Sequence, residues 1–135
     1  MLKQESIELS KWRIEKAKSS LQESQNNIDD ESYEASANRS YYAVFHAIRA
    51  LLALEGVDFK KHSSVISYFR ENYIKTLIFD KEYSNIVGKA FEVRGNADYQ
   101  DFFVISKEEV QEQLNNATKF VNTIEIYLQE KYVSK

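Results

Sequence analysis

From about Asp30 to Glu55 the chain carries one long helical pattern, and its interior from Ala35 to Leu54 holds no charge except at Arg39, His46 and Arg49. At ~100° per residue, offsets of three, seven and ten bring Arg39, Tyr42, His46 and Arg49 onto one stripe. Ala37, Tyr41, Val44, Ile48, Leu51 and Leu52 form a second stripe facing well away from it, which reads as a core face, while Ala43, Ala47, Ala50 and Leu54 cover a third side. A helix apolar nearly all round belongs in the middle of a domain, where cationic groups need partners or a purpose. The rest of the chain must therefore surround this helix.

Composition says what can do so. At 135 residues the chain predicts one domain, residues 1–135, large enough to bury a core without staples. Proline is absent and glycine occurs three times, which suits long helices with few tight turns. Nine Tyr, eight Phe and Trp12 imply a thick aromatic core or a second buried face at a subunit contact. There is no Cys, hence no disulfide, thiol chemistry or Cys-based zinc site. The polar start Met1–Glu5 lacks the apolar core of a signal peptide, and no apolar run approaches the ~20 residues needed to span a bilayer, which favours the cytoplasm. A net charge of −3 argues against a broad electrostatic grip on nucleic acid but leaves room for a local basic cleft.

In chain order, Ile7, Ile14, Ala17 and Leu21 predict a first helix over about Glu5 to Asn26, ended by the polar run Ser24-Gln25-Asn26-Asn27, with Leu9 and Trp12 as a small apolar patch on its other side. Asp29 or Asp30 is placed to cap the central helix, and Gly56 to end it in a left-handed turn. After the connector Asp58-Phe59-Lys60-Lys61, the pattern Val65, Ile66, Phe69, Tyr73 reads as a third helix. Asp80 is a cap for a fourth, in which Gly88 suits a close packing contact and Gly95 a bend or end. Asp101–Ile105 reads as an extended connector packed on the core. Ser106-Lys107-Glu108-Glu109 is a capping box that opens a final helix through Val110, Leu114, Ala117, Val121, Ile124 and Leu128. The sum is an all-α, up-and-down antiparallel bundle of four or five helices.

Phosphate-binding glycine loops, nucleophile motifs and cofactor motifs are missing, and two histidines outside any ligand-type spacing disfavour a metal centre. Two polar constellations remain. The first is Arg39, Tyr42, His46 and Arg49, with His62 brought near by the short loop that follows the helix. His46 can act as general base or acid, and Arg39 can hold a phosphate through parallel N–H donors. Such a pair suffices for metal-free RNA cleavage; the bland alternative pairs the arginines with carboxylates and makes His46 a hydrogen-bonded core residue. The second is Arg94, Asn96, Asp98 and Tyr99 around Gly95, which read either as a surface i,i+4 ion pair or as the wall of a cleft beside the central helix.

The run Asn38-Arg39-Ser40-Tyr41-Tyr42-Ala43-Val44-Phe45-His46-Ala47, followed by Leu51-Leu52, Gly56, His62-Ser63-Ser64-Val65-Ile66, Phe91-Glu92-Val93-Arg94 and Ala97-Asp98-Tyr99, resembles the HEPN superfamily. The similarity is to its small stand-alone members encoded beside minimal nucleotidyltransferases. The resemblance implies a helical bundle that forms a homodimer with a groove at the dimer contact, a nucleotidyltransferase partner, and a toxin–antitoxin-like or defence role. Active members of the superfamily are metal-independent RNases whose signature is an Arg and a His separated by four to six residues; Arg39 and His46 have six between them. In the toxin branch the motif lies on a later helix, whose counterpart here begins at Arg94 and offers Tyr99, Gln100 and Asp101 where the histidine would stand. Other members are nucleotide- or substrate-binding partners of the transferase. For a nuclease, His46 is expected as general base or acid, with Arg39 and Arg94 binding phosphate, Tyr99 orienting, and Tyr42, Arg49, His62, Asn96 and Asp98 lining the ligand. A binding subunit and a purely structural dimeric module are the alternatives.

Overall fold

The computed structural model describes residues 2–133. Its elements are α1 (Gln4–Asp29), α2 (Tyr33–Glu55), α3 (His62–Phe69) continued by a π-helical turn (Arg70–Ile74), α4 (Lys81–Tyr99) and α5 (Lys107–Val133). The fold is all-α. Contacts fix the directions of the long helices: Ser24 meets Ser36 and Ser10 meets Ala50 across α1 and α2, Lys18 meets Glu125 and Ser10 meets Tyr132 across α1 and α5, and Tyr83 meets Thr123 while Val93 clusters with Val110 and Leu114 across α4 and α5. Each of these pairs is antiparallel, so α1, α2, α4 and α5 form an up-and-down bundle. Among the described residues no helix is long and apolar enough to cross a membrane.

α2 is the axis, as its composition requires. Every residue of its expected core stripe is buried, and so are Ala43, Ala47, Ala50 and Leu54, while Arg39, Tyr42, His46 and Arg49 are half-buried. Small side chains let α1 approach closely. Ser10, Ala17, Ser20 and Ser24 recur at three–four spacing on α1 and are all buried. Ser24 Oγ lies 2.8 Å from the hydroxyls of both Ser36 and Ser40, and Ser10 Oγ donates to the Ala50 carbonyl at 2.8 Å. Polar atoms of this kind are tolerated in a dry interface only because they satisfy one another. On the opposite side Phe69, Tyr73, Phe79 and Phe120 form an aromatic cluster, with Phe69 and Phe120 fully buried.

Several boundaries differ from those the sequence suggests. The polar run Ser24–Asn27 does not end α1, because Ser24 faces α2 and Ile28 is buried one turn later, so continuing the helix buries apolar surface. Asp29 consequently lies inside α1, and the N-cap of α2 is Ser32 rather than Asp29 or Asp30, with Glu31 turning the chain at φ 61°. Gly56 ends α2 as expected, at φ 72°, with Val57 N–H reaching back to the Leu52 carbonyl. Gly95 does not end α4, which runs on to Tyr99. Gly88 does make a close contact, since a Cβ there would meet the Arg70 guanidinium at 3.1 Å. In the α4–α5 connector Ile105 is buried, but Phe102 and Val104 point to solvent. The Ser106–Glu109 capping box forms, with Glu109 N–H donating to Ser106 Oγ at 3.1 Å.

Candidate functional site

The polar stripe of α2 emerges between α4, the start of α3 and the side of α1, and its centre is the ring of Tyr42. Arg39, one turn earlier on the same helix, places its guanidinium carbon 4.9 Å from that ring's centroid. Arg94 comes across from α4, 5.6 Å from the Tyr42 centroid and 5.1 Å from that of Tyr41. A guanidinium at such distances is attracted by the ring's quadrupole and is oriented without losing its charge. The two constellations of the sequence therefore meet at one ring. His46 and His62 flank it as well, each with its centroid 5.9 Å from that of Tyr42.

What holds each cation differs. Arg49 is a structural ion: Asp58 accepts from its Nη2 through both carboxylate oxygens, at 3.0 and 3.2 Å. Buried Arg13 of α1 joins that pair, donating to the Arg49 carbonyl at 3.0 Å and lying 3.7 Å from Asp58. Arg39 instead donates to the neutral side chain of Asn38, at 2.6 Å, and has no ion-paired carboxylate among the described residues. Arg94 is intermediate. Its Nε lies 3.0 Å from Asp98, yet the N–H is not aimed at that oxygen and has no hydrogen-bond acceptor.

His46 is not a hydrogen-bonded core histidine. Neither ring nitrogen has a partner among the described residues, and neither is sealed from solvent. Its pKa is pushed down to about 4, first by partial burial and then by Arg49, Lys16, Arg39 and Arg13. At neutral pH the ring is uncharged with a free lone pair, in the field of four cations, of which Asp58 pairs with Arg13 and Arg49. His62 is also lowered, by burial first and then by Arg94 and Arg49. It stacks on Phe45 at 4.0 Å between centroids, and its Nδ1 lies 2.8 Å from the Tyr41 hydroxyl. An open cleft of about 520 Å³ adjoins it, lined by Phe45, Arg49, Asp58, Phe59, Lys60 and His62.

Of the remaining residues singled out from the sequence, Asp98 holds Arg94, and Asn96 accepts from Gln100 at 3.2 Å. Tyr99 is 81% exposed and makes no side-chain hydrogen bond or ring contact among the described residues. Arg13 and Lys16, which the helical pattern does not single out, lie on α1 and add to the field of Arg49 and Arg39 at His46. A signal existed, because Arg13 falls within the small-residue stripe Ser10, Ala17, Ser20, Ser24, a place where an unpartnered arginine could not be buried.

A family model described as HEPN domain matches residues 10–127. The chain is 36% identical over 122 residues to a provisionally named toxin of Methanocaldococcus jannaschii, covering 90% of this chain and 83% of that one. A UPF0332 protein of Thermotoga maritima is 30% identical over 119 residues, covering 88% and 89%. A second provisionally named toxin of M. jannaschii is 30% identical over 117 residues, covering 87% of each chain.

Proposed function

The chain belongs to the HEPN family, and from that premise we propose that it is a toxin-like endoribonuclease that needs no metal. The observation that carries the reading is the convergence of Arg39 and Arg94, from two helices, on the ring of Tyr42, beside a histidine whose nitrogens have no protein partner. A phosphodiester seated over Tyr42 accepts from both guanidinium groups. The neutral His46 then takes the proton of the adjacent 2′-hydroxyl, the 2′-oxygen attacks phosphorus, and the bond to the 5′-oxygen breaks, that oxygen taking a proton from water while His46 gives its own to the hydroxide left behind. The products are a 2′,3′-cyclic phosphate and a 5′-hydroxyl. The negative phosphate also offsets the cations that depress His46, so its pKa rises toward the ordinary histidine value as substrate binds.

The protein acts in the cytoplasm as a homodimer, paired with a minimal nucleotidyltransferase that restrains it. The toxin names of two relatives support the pairing, and exposed Trp12, Phe91 and Phe102 offer apolar surface for self-association or a partner. Purified protein is expected to cut single-stranded RNA in EDTA and to leave cyclic-phosphate ends, with His46→Ala slowing cleavage by at least about 100-fold. Cleavage undiminished in the variant overturns the assignment of the base. RNA binding without cleavage by the wild type makes the protein the nucleotide-binding member of the pair instead.

A further inference from the structure

The Tyr41 hydroxyl is buried inside the bundle, with the residue only 1% exposed, and its one hydrogen-bond partner is His62 Nδ1. A buried O–H needs an acceptor, because leaving it without one forfeits its hydration with nothing in return. The proton of Tyr41 therefore points at Nδ1, which must supply a lone pair. Burial also pushes the phenol's pKa up to about 12, so that proton stays on oxygen through the physiological range. With Nδ1 as acceptor, a neutral His62 carries its hydrogen on Nε2. That second nitrogen has no hydrogen-bond partner among the described residues and is not sealed from solvent, and the residue lines the cleft between the end of α2 and the start of α3.

We infer that Tyr41 locks His62 in its Nε2–H tautomer, making it a fixed, uncharged donor to a phosphoryl oxygen of an RNA strand that continues from Tyr42 into this cleft. The identity of the ligand rests on the RNA reading above; the tautomer does not. Within the cleft, Arg49 is taken up by Asp58, which leaves Lys60 as the lining cation with no carboxylate partner among the described residues. Asp58 is itself occupied by Arg49 and by the Phe59 N–H at 2.9 Å. The cleft thus offers an incoming anion Lys60 Nζ and His62 Nε2–H as donors. Tyr41 and Tyr42 border both His62 and Arg94, so one strand can meet both sets of donors. His62 is in this account a binding and positioning residue, whereas His46, with neither nitrogen tied, is free to present a lone pair.

Long-range proton–nitrogen spectra of the full-length protein labelled with ¹⁵N test the lock without any ligand. At pH 7.5, His62 is expected to show a protonated Nε2 and a bare Nδ1, and Tyr41→Phe is expected to release it into exchange between the two tautomers. A protonated Nδ1 in the wild type, or an unchanged spectrum in Tyr41→Phe, overturns the lock. For the ligand, a 2′-O-methyl RNA hexamer, which cannot be cleaved by this route, is titrated into wild type, His62→Ala and His62→Gln. Alanine is expected to weaken binding about tenfold, while glutamine, whose amide N–H₂ reaches the position of Nε2, keeps it within about threefold. Equal binding by wild type and alanine, or equal loss in both variants, removes His62 as donor. A wild type that binds no hexamer overturns the RNA reading and the phosphate assignment with it, while the spectra still decide the tautomer.

Discussion

Two histidines lie within one ring's distance of Tyr42, yet their surroundings divide their work. His46 carries a thermodynamic signature that can be read without substrate. Its folded-state pKa, about 4, lies below the ordinary 6.5. Above pH 6.5 neither folded nor unfolded chain protonates it, and it has no effect on stability. As pH falls below 6.5 the unfolded chain binds the proton first, so stability declines until the folded form also protonates near pH 4. The slope approaches about 1.4 kcal/mol per pH unit, so His46 alone contributes a loss of up to about 2 kcal/mol between pH 7.5 and pH 5. His62, shifted the same way, steepens the fall. Urea unfolding at the two pH values checks this: His46→Gln should lose clearly less stability on acidification than the wild type, and an identical loss would mean that His46 is not held neutral by the fold. At this scale the sequence was only partly legible. Helical spacing placed Arg39, Tyr42, His46 and Arg49 together, but it could not show that Asp58 satisfies Arg49 while Arg39 is left with Asn38, since that depends on the path of a connector.

Among the elements, the α1–α2 pair depends on the buried serines. Ser24 Oγ touches Ser36 and Ser40 and donates to the Ser36 carbonyl at 3.0 Å. Ser24→Ala leaves two buried hydroxyls short of a partner and is expected to cost about 1–3 kcal/mol in chemical denaturation. Ser24→Val adds a crowding penalty and should be worse; a variant as stable as the wild type would show that the helices reseal around the gap. The small-residue stripe is in the sequence, yet a helix-period search weighted on large apolar residues reads Ser24 as part of a polar stop. That is why α1 was expected to end early and the cap of α2 was misplaced. By contrast α5 was legible throughout, because Val110, Leu114, Ala117, Val121, Ile124 and Leu128 are all buried and the Ser106–Glu109 box sets its start. The π-helical turn Arg70–Ile74 had no counterpart in the pattern. It closes with Lys75 N–H on the Arg70 carbonyl, and Glu55 accepts from both Tyr68 and Tyr73, tying the end of α2 to this turn.

On the scale of the molecule, α2 touches each of the other helices, and both the core and the candidate site are built on it. The all-α fold follows from that single segment, since a helix buried on nearly every side needs several partners and no sheet is required to supply them. The site does not follow so directly: its second arginine comes from α4, and Lys16 and Arg13 of α1 add to the field that Arg49 and Arg39 of α2 set up at His46, so two elements whose placement only the packing determines take part in it. Because α2 is enclosed, it has no route to local opening. Its amide hydrogens from Ala43 to Leu54 are expected to exchange with solvent only when the whole chain unfolds, while those of the 100–106 connector exchange orders of magnitude faster. Native-state hydrogen exchange in low urea reads this directly, and α2 amides that exchange independently of global stability would contradict it. The platform beneath Tyr42 is thus as durable as the protein itself, and adjustment to a ligand falls to side chains and to α4.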